Sequence, residues 1–161
     1  YPTRLAQMFD EDLVDWVGFD IKALPADYDS TVQAPNSDAK ALQSLEMLLR
    51  WAKAPGSASA SAPASVLAPA PAPAPASASV SERSYEVRLT LAQGGLEYAD
   101  QVAKWCSTQG VENFVLQKMQ TTGLPERFLQ SVDASTLTWT KEQAENVLDQ
   151  HGFKTLTVRG A

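Results

Sequence analysis

Residues 12–23 read Asp-Leu-Val-Asp-Trp-Val-Gly-Phe-Asp-Ile-Lys-Ala, and no other stretch of the chain restricts its fold as tightly. Side chains alternate across a strand, so Val17, Phe19 and Ile21 share one face while Gly18, Asp20 and Lys22 share the other. The apolar face has to back onto a hydrophobic layer. The other face ends in two opposite charges and has to look into a site, because buried charge without a partner is costly.

The rest of the chain repeats the theme. Ser37 or Asp38 can cap a helix that carries Leu42, Leu45, Met47, Leu48, Leu49 and Trp51 at close to helical period, with Pro55 and Gly56 to stop it. Residues 85–91 alternate as a strand, with Tyr85, Val87, Leu89 and Leu91 on one face and Glu86, Arg88 and Thr90 on the other. Gly94-Gly95 then opens a helix over residues 96–109, striped by Ala99, Val102, Ala103 and Cys106 and closed by Gly110. Residues 111–119 form a strand with Phe114 and Leu116 on one face and Val115, Gln117 and Met119 on the other. A helix over residues 140–151 ends at Gly152, and residues 153–159 make a last strand. Strands alternating with singly capped helices predict βα units and a parallel sheet.

Between the two halves, residues 54–81 are almost wholly Ala, Pro, Ser and Gly, too poor in apolar variety to offset the entropy of ordering. They read as a disordered, partly polyproline-II insertion or tether. The predicted organisation is therefore a βα portion over residues 1–53, a low-complexity segment over 54–83 and a βαβαβ portion over 84–161. The 161 residues, less that segment, suffice for half a barrel and not a whole one.

A formal net charge of −6 argues against a nucleic-acid binder, which would gather Lys and Arg on one face. No apolar run approaches the roughly 20 residues that span a bilayer, and there is no signal-peptide layout, so the expected location is cytoplasmic. One cysteine excludes an internal disulfide and, alone, a cysteine-ligated cluster.

Three strands place polar groups on one face: Asp20 and Lys22, then Arg88, then Gln117. They either line one pocket near the C-terminal strand ends or are solvated positions on an open sheet; spacing alone leaves both readings standing. Cys106 reads as a core thiol, and His151 as a helix-terminal imidazole that complements the dipole. The acidic run at residues 10–12 reads as a solvated turn, and Trp16 and Trp51 as packing residues.

The Asp20-x-Lys22 strand end followed by Tyr28 resembles the middle of the radical S-adenosylmethionine (SAM) activating enzymes, specifically the activating protein of anaerobic ribonucleotide reductase. Tyr85-Glu-Val-Arg88 resembles that family's arginine strand, Phe114-Val-Leu-Gln117 its Tyr-Val-Leu-Gln strand, and Thr157-Val-Arg-Gly160 its usual ending. The resemblance covers the back half of the family. It implies an α/β fold, the C-terminal half of a partial (β/α) barrel with parallel strands and outer helices. It also implies that Asp20, Lys22, Arg88 and Gln117 contact SAM, that a [4Fe-4S] cluster is the partner cofactor, and that anaerobic ribonucleotide reductase is the protein partner. The family's Cys-x3-Cys-x2-Cys cluster loop and its Gly-Gly-Glu-Pro stretch have no counterpart here, and no catalytic residue or metal ligand is assigned to this chain. A zwitterionic ligand needs both signs of charge: Lys22 with Arg88 can clamp a carboxylate while Asp20 takes a cation or hydroxyl.

Two other outcomes fit the same residues: a non-catalytic remnant or interaction module, and a radical SAM relative acting on a small heterocycle. Half a barrel also leaves strand edges open, so self-association is expected.

Overall fold

The computed structural model of the chain describes residues 1–54, 83–91, 93–126, 130 and 132–160. Most of the Pro/Ala/Ser-rich segment, residues 55–82, lies outside the described residues.

Four strands, β1 (Trp16–Ile21), β2 (Ser84–Leu91), β3 (Asn113–Lys118) and β4 (Thr155–Arg159), form one sheet in the order β1-β2-β3-β4. All three pairings are parallel. The α/β expectation and its parallel sheet are therefore observed. Strand order follows chain order without reversal, so right-handed crossovers put the connecting helices of the described residues on the same side of the sheet.

The burial pattern agrees. One continuous core joins Ile21, Val87, Leu89, Leu91, Phe114, Leu116 and Val158, all from one face of the sheet, to helical residues such as Leu45, Leu48, Val102, Cys106 and Leu148. Each such side chain contributes about 1.5–3 kcal/mol on leaving water. Val115, on the opposite face, is buried but stands apart from that core.

The helical layer holds α1 (Pro2–Asp10), α2 (Pro25–Val32), α3 (Ser37–Lys53), α4 (Gly95–Thr108) and α5 (Lys141–Leu148). Helices α3, α4 and α5 occupy the stretches that periodicity marks. Thr140 caps α5 in a full capping box with Gln143, and a 3-10 turn, Asp149–His151, carries the chain to Gly152 at φ 69°. Gly110, at φ 86°, follows the end of α4 as expected.

Helices α1 and α2 were not foreseen. Each is short and starts with a proline in its first turn; α1 buries none of its residues and α2 only Tyr28. Helix α1 is held mainly by Phe9, whose ring stacks on Trp51 at 4.7 Å. The cap of α3 also differs from expectation. Neither Ser37 nor Asp38 supplies it; the carboxylate of Asp29, in α2, accepts the backbone N–H groups of Asn36, Ser37 and Asp38 at 2.8, 2.7 and 3.3 Å. A short remote carboxylate replaces a local cap because the preceding Asn36 is left-handed, at φ 57°, and turns away.

Three further readings are corrected by packing. Asp12 is no merely solvated turn residue, since it pairs with Arg83 at 2.9 Å. His151 meets Asp100 through Nε2 at 2.6 Å and is largely buried, so its partner is a side chain of α4 as well as a helix end. Trp16 is 53% exposed, on the face without helices.

Candidate functional site

The face of the sheet that no helix of the described residues covers, its helix-free face, carries the polar residues. Register aligns Asp20 of β1 with Arg88 of β2, and Arg88 with Val115 of β3. Gln117 aligns with Thr90 on one side and with Arg159 on the other. Strand alternation thus brings Asp20, Arg88 and Gln117 onto one face, as the residue pattern predicted.

Three of the four predicted residues touch. Asp20 accepts from Lys22 Nζ through Oδ2 at 3.2 Å and from Arg88 Nε through Oδ1 at 2.9 Å. Lys22 and Arg88 therefore do not form an empty clamp; Asp20 stands between them. The Gln117 side chain makes no hydrogen bond among the described residues and lies farther along the face, half-buried. Arg88 uses only Nε. Its terminal amino groups meet no acceptor among the described residues, and Nη2 lies over Gly18 beside the Trp16 ring.

Two residues were missed as members of this site. Arg159 donates Nη1 and Nη2 to Glu86 Oε1 and Oε2 at 2.9 and 2.8 Å, a bidentate pair. Glu86 Oε1 in turn lies 3.8 Å from Arg88 Nε. The chain of charges runs Lys22, Asp20, Arg88, Glu86, Arg159, with three cations against two carboxylates and hence one positive charge in surplus. Alternation had put Glu86 on this face; its pairing with Arg159 depends on strand order.

Beside Asp20 a cleft of about 390 Å³ is lined by Phe19, Tyr28, Ser37, Lys40 and Ser44, among others. Burial pushes the Tyr28 phenol above its ordinary pKa; the Lys22 backbone N–H opposes that shift and the Asp20 charge adds to it. Tyr28 is thus a neutral hydroxyl against the strand end that carries the charges.

Cys106, in the core under α4, is fully buried, and burial pushes its thiol up to about 12. A thiol held protonated is a poor iron ligand. Among the described residues no three His, Cys, Asp or Glu side chains are grouped to hold a metal ion. The residues present do not fit a [4Fe-4S] cluster. No helix of the described residues is long and apolar enough to cross a membrane.

Comparison with protein-family models, curated proteins and solved structures found no match for the chain.

Proposed function

We propose that this chain is the SAM-binding wall of a radical SAM activating enzyme for anaerobic ribonucleotide reductase, the C-terminal half of a partial (β/α) barrel. The observation that carries the reading is the mixed-charge cluster on the helix-free face, with Arg88 offering unused donors next to a carboxylate and an ammonium. SAM carries a carboxylate, an ammonium and a sulfonium on one flexible chain, and a site for it needs donors and an anion within a few ångströms of each other. Arg88 takes the carboxylate through its terminal amino groups. Asp20, already holding Arg88 by Nε, orients the guanidinium and presents negative charge to the ligand's cations. Lys22 adds positive charge at the strand end, and Gln117 offers an amide to ribose or amino group.

A [4Fe-4S] cluster supplies the electron that cleaves SAM in the family that the sequence resembles. This chain's residues do not provide for that cluster, so no step of the cleavage is assigned to them; their work is to bind and orient.

Calorimetric titration of SAM into the chain tests the proposal. Saturable binding is expected, with Arg88→Ala weakening it roughly 10- to 100-fold, the loss of a hydrogen bond to a charged group. Lys22→Ala should weaken it less, because Asp20 already engages the ammonium. Absence of binding by the wild-type chain, or unchanged affinity in Arg88→Ala, would defeat the reading.

A further inference from the structure

The helix-free face holds two carboxylates within reach of one guanidinium. Arg88 Nε lies 2.9 Å from Asp20 Oδ1 and 3.8 Å from Glu86 Oε1, on neighbouring positions of the same face. Glu86 is the closer in sequence and the more buried, its side chain 14% exposed against 44% for Asp20. Left alone it is the stronger competitor, because charges attract more in the less solvated position. It nevertheless makes no hydrogen bond to Arg88 and stays at an ion-pair distance of 3.8 Å, while Asp20 takes the hydrogen bond at 2.9 Å.

The reason lies two strands away. Arg159 on β4 reaches across β3 and occupies both oxygens of Glu86 on β2, at 2.9 and 2.8 Å. Val115, the β3 residue aligned with Arg88 and with Thr157 between those strands, is 3% exposed although it faces away from the helices. The ion pair spans the strand that Val115 occupies. Planar bidentate geometry satisfies both carboxylate oxygens at once, which a lysine would not do.

We infer that Arg159 is a positioning residue: by saturating Glu86 it holds that carboxylate at ion-pair distance and keeps it from hydrogen-bonding Arg88, so that the donors of Arg88 are left to Asp20 and to an anionic ligand group. The inference deepens the SAM-binding reading and rests on it for the identity of the ligand. Arg159 itself bonds Glu86 and need not touch the ligand. Without it, the cluster loses its surplus positive charge and Arg88 is shared between two carboxylates.

Two readouts on the full chain test this, one of them independent of any ligand. The first is the Arg88 Nε–H resonance in a proton–nitrogen NMR spectrum. In Arg159→Gln it should shift and its exchange with water should slow as Glu86 captures the guanidinium; in Arg159→Gln with Glu86→Gln it should return to the wild-type position. The second is SAM affinity by calorimetry. Arg159→Gln should weaken it on the order of tenfold, and the double variant should restore it to within about twofold, since coupling of this size marks groups in one network. Arg159→Lys, which keeps the charge but not the bidentate geometry, should fall between. An Arg88 resonance indifferent to Arg159→Gln overturns the inference whether or not SAM binds. Wild-type chain that binds no SAM, with the resonance moving as described, defeats the ligand reading and leaves the carboxylate competition standing. A double variant as weak as Arg159→Gln also overturns it, by showing that Arg159 acts through something other than Glu86.

Discussion

Gly18 is the residue whose missing side chain shapes the site. A Cβ there would lie 2.8 Å from Trp16 Cη2 and 2.9 Å from Arg88 Nη2, closer than a Cβ packs against its neighbours. Both are the far ends of flexible side chains, and Gly18 is not among the glycines held at positive φ, so the backbone itself would accept alanine. Gly18→Ala should therefore leave stability within about 1 kcal/mol of wild type, as surface-facing changes usually do. It should nonetheless lower SAM affinity several-fold by pushing the guanidinium off its present position. Chemical denaturation followed by calorimetry separates the two effects, and a variant that binds as tightly as wild type would show that Arg88 tolerates displacement. Alternation along residues 16–22 was enough to put Gly18 on the charged face. What it makes room for was not legible, because the rotamers that carry Trp16 and Arg88 over it are decided by their neighbours.

The same division between local and remote causes holds for whole elements. The four strands and helices α3 to α5 could be read because their signals are local: period-two alternation, helical apolar spacing and glycine stops. Helices α1 and α2 could not, since their few apolar residues count only once α3 is beside them. The α3 cap is a remote effect as well. Desolvation alone would raise the Asp29 carboxyl, but the backbone N–H groups of Ser37, Asn36 and Asp38, with Lys40 nearby, outweigh it and hold the pKa below the ordinary value. A depressed folded-state pKa means that the stabilisation is present above the unfolded value, near ~3.9, and is lost as pH falls through the folded one. Asp29→Ala should accordingly melt below wild type at neutral pH, with the gap closing as the solution is acidified below about pH 4. Thermal unfolding of both proteins across that range is the check; a gap that persists in acid would mean that the carboxylate's charge is not what caps α3.

At the scale of the molecule, a sheet whose order runs straight from β1 to β4 ends in two strands paired on one side only among the described residues. Such edges offer unmet N–H and C=O groups to another chain unless charge or a bulge guards them. The two ends differ. On β4 the exposed positions are Thr155, Thr157 and Arg159, polar and charged, of the kind that discourages pairing. Beside and on β1 lie Leu13 and Trp16, 62% and 53% exposed, and apolar surface next to an open edge favours association. Pairing through β1 would bury both and satisfy the edge, while the net charge of −6 opposes it and weakens as salt screens the repulsion. Self-association should therefore grow with protein concentration and with ionic strength. Sedimentation velocity is the measurement, comparing wild type with the Leu13→Lys, Trp16→Lys double variant, whose circular dichroism should be unchanged. The double variant should stay monomeric where wild type does not. A wild-type chain that is monomeric at all concentrations in high salt would show that β1 is guarded, and association that survives the two lysines would move the contact to β4 or to the charged face between them.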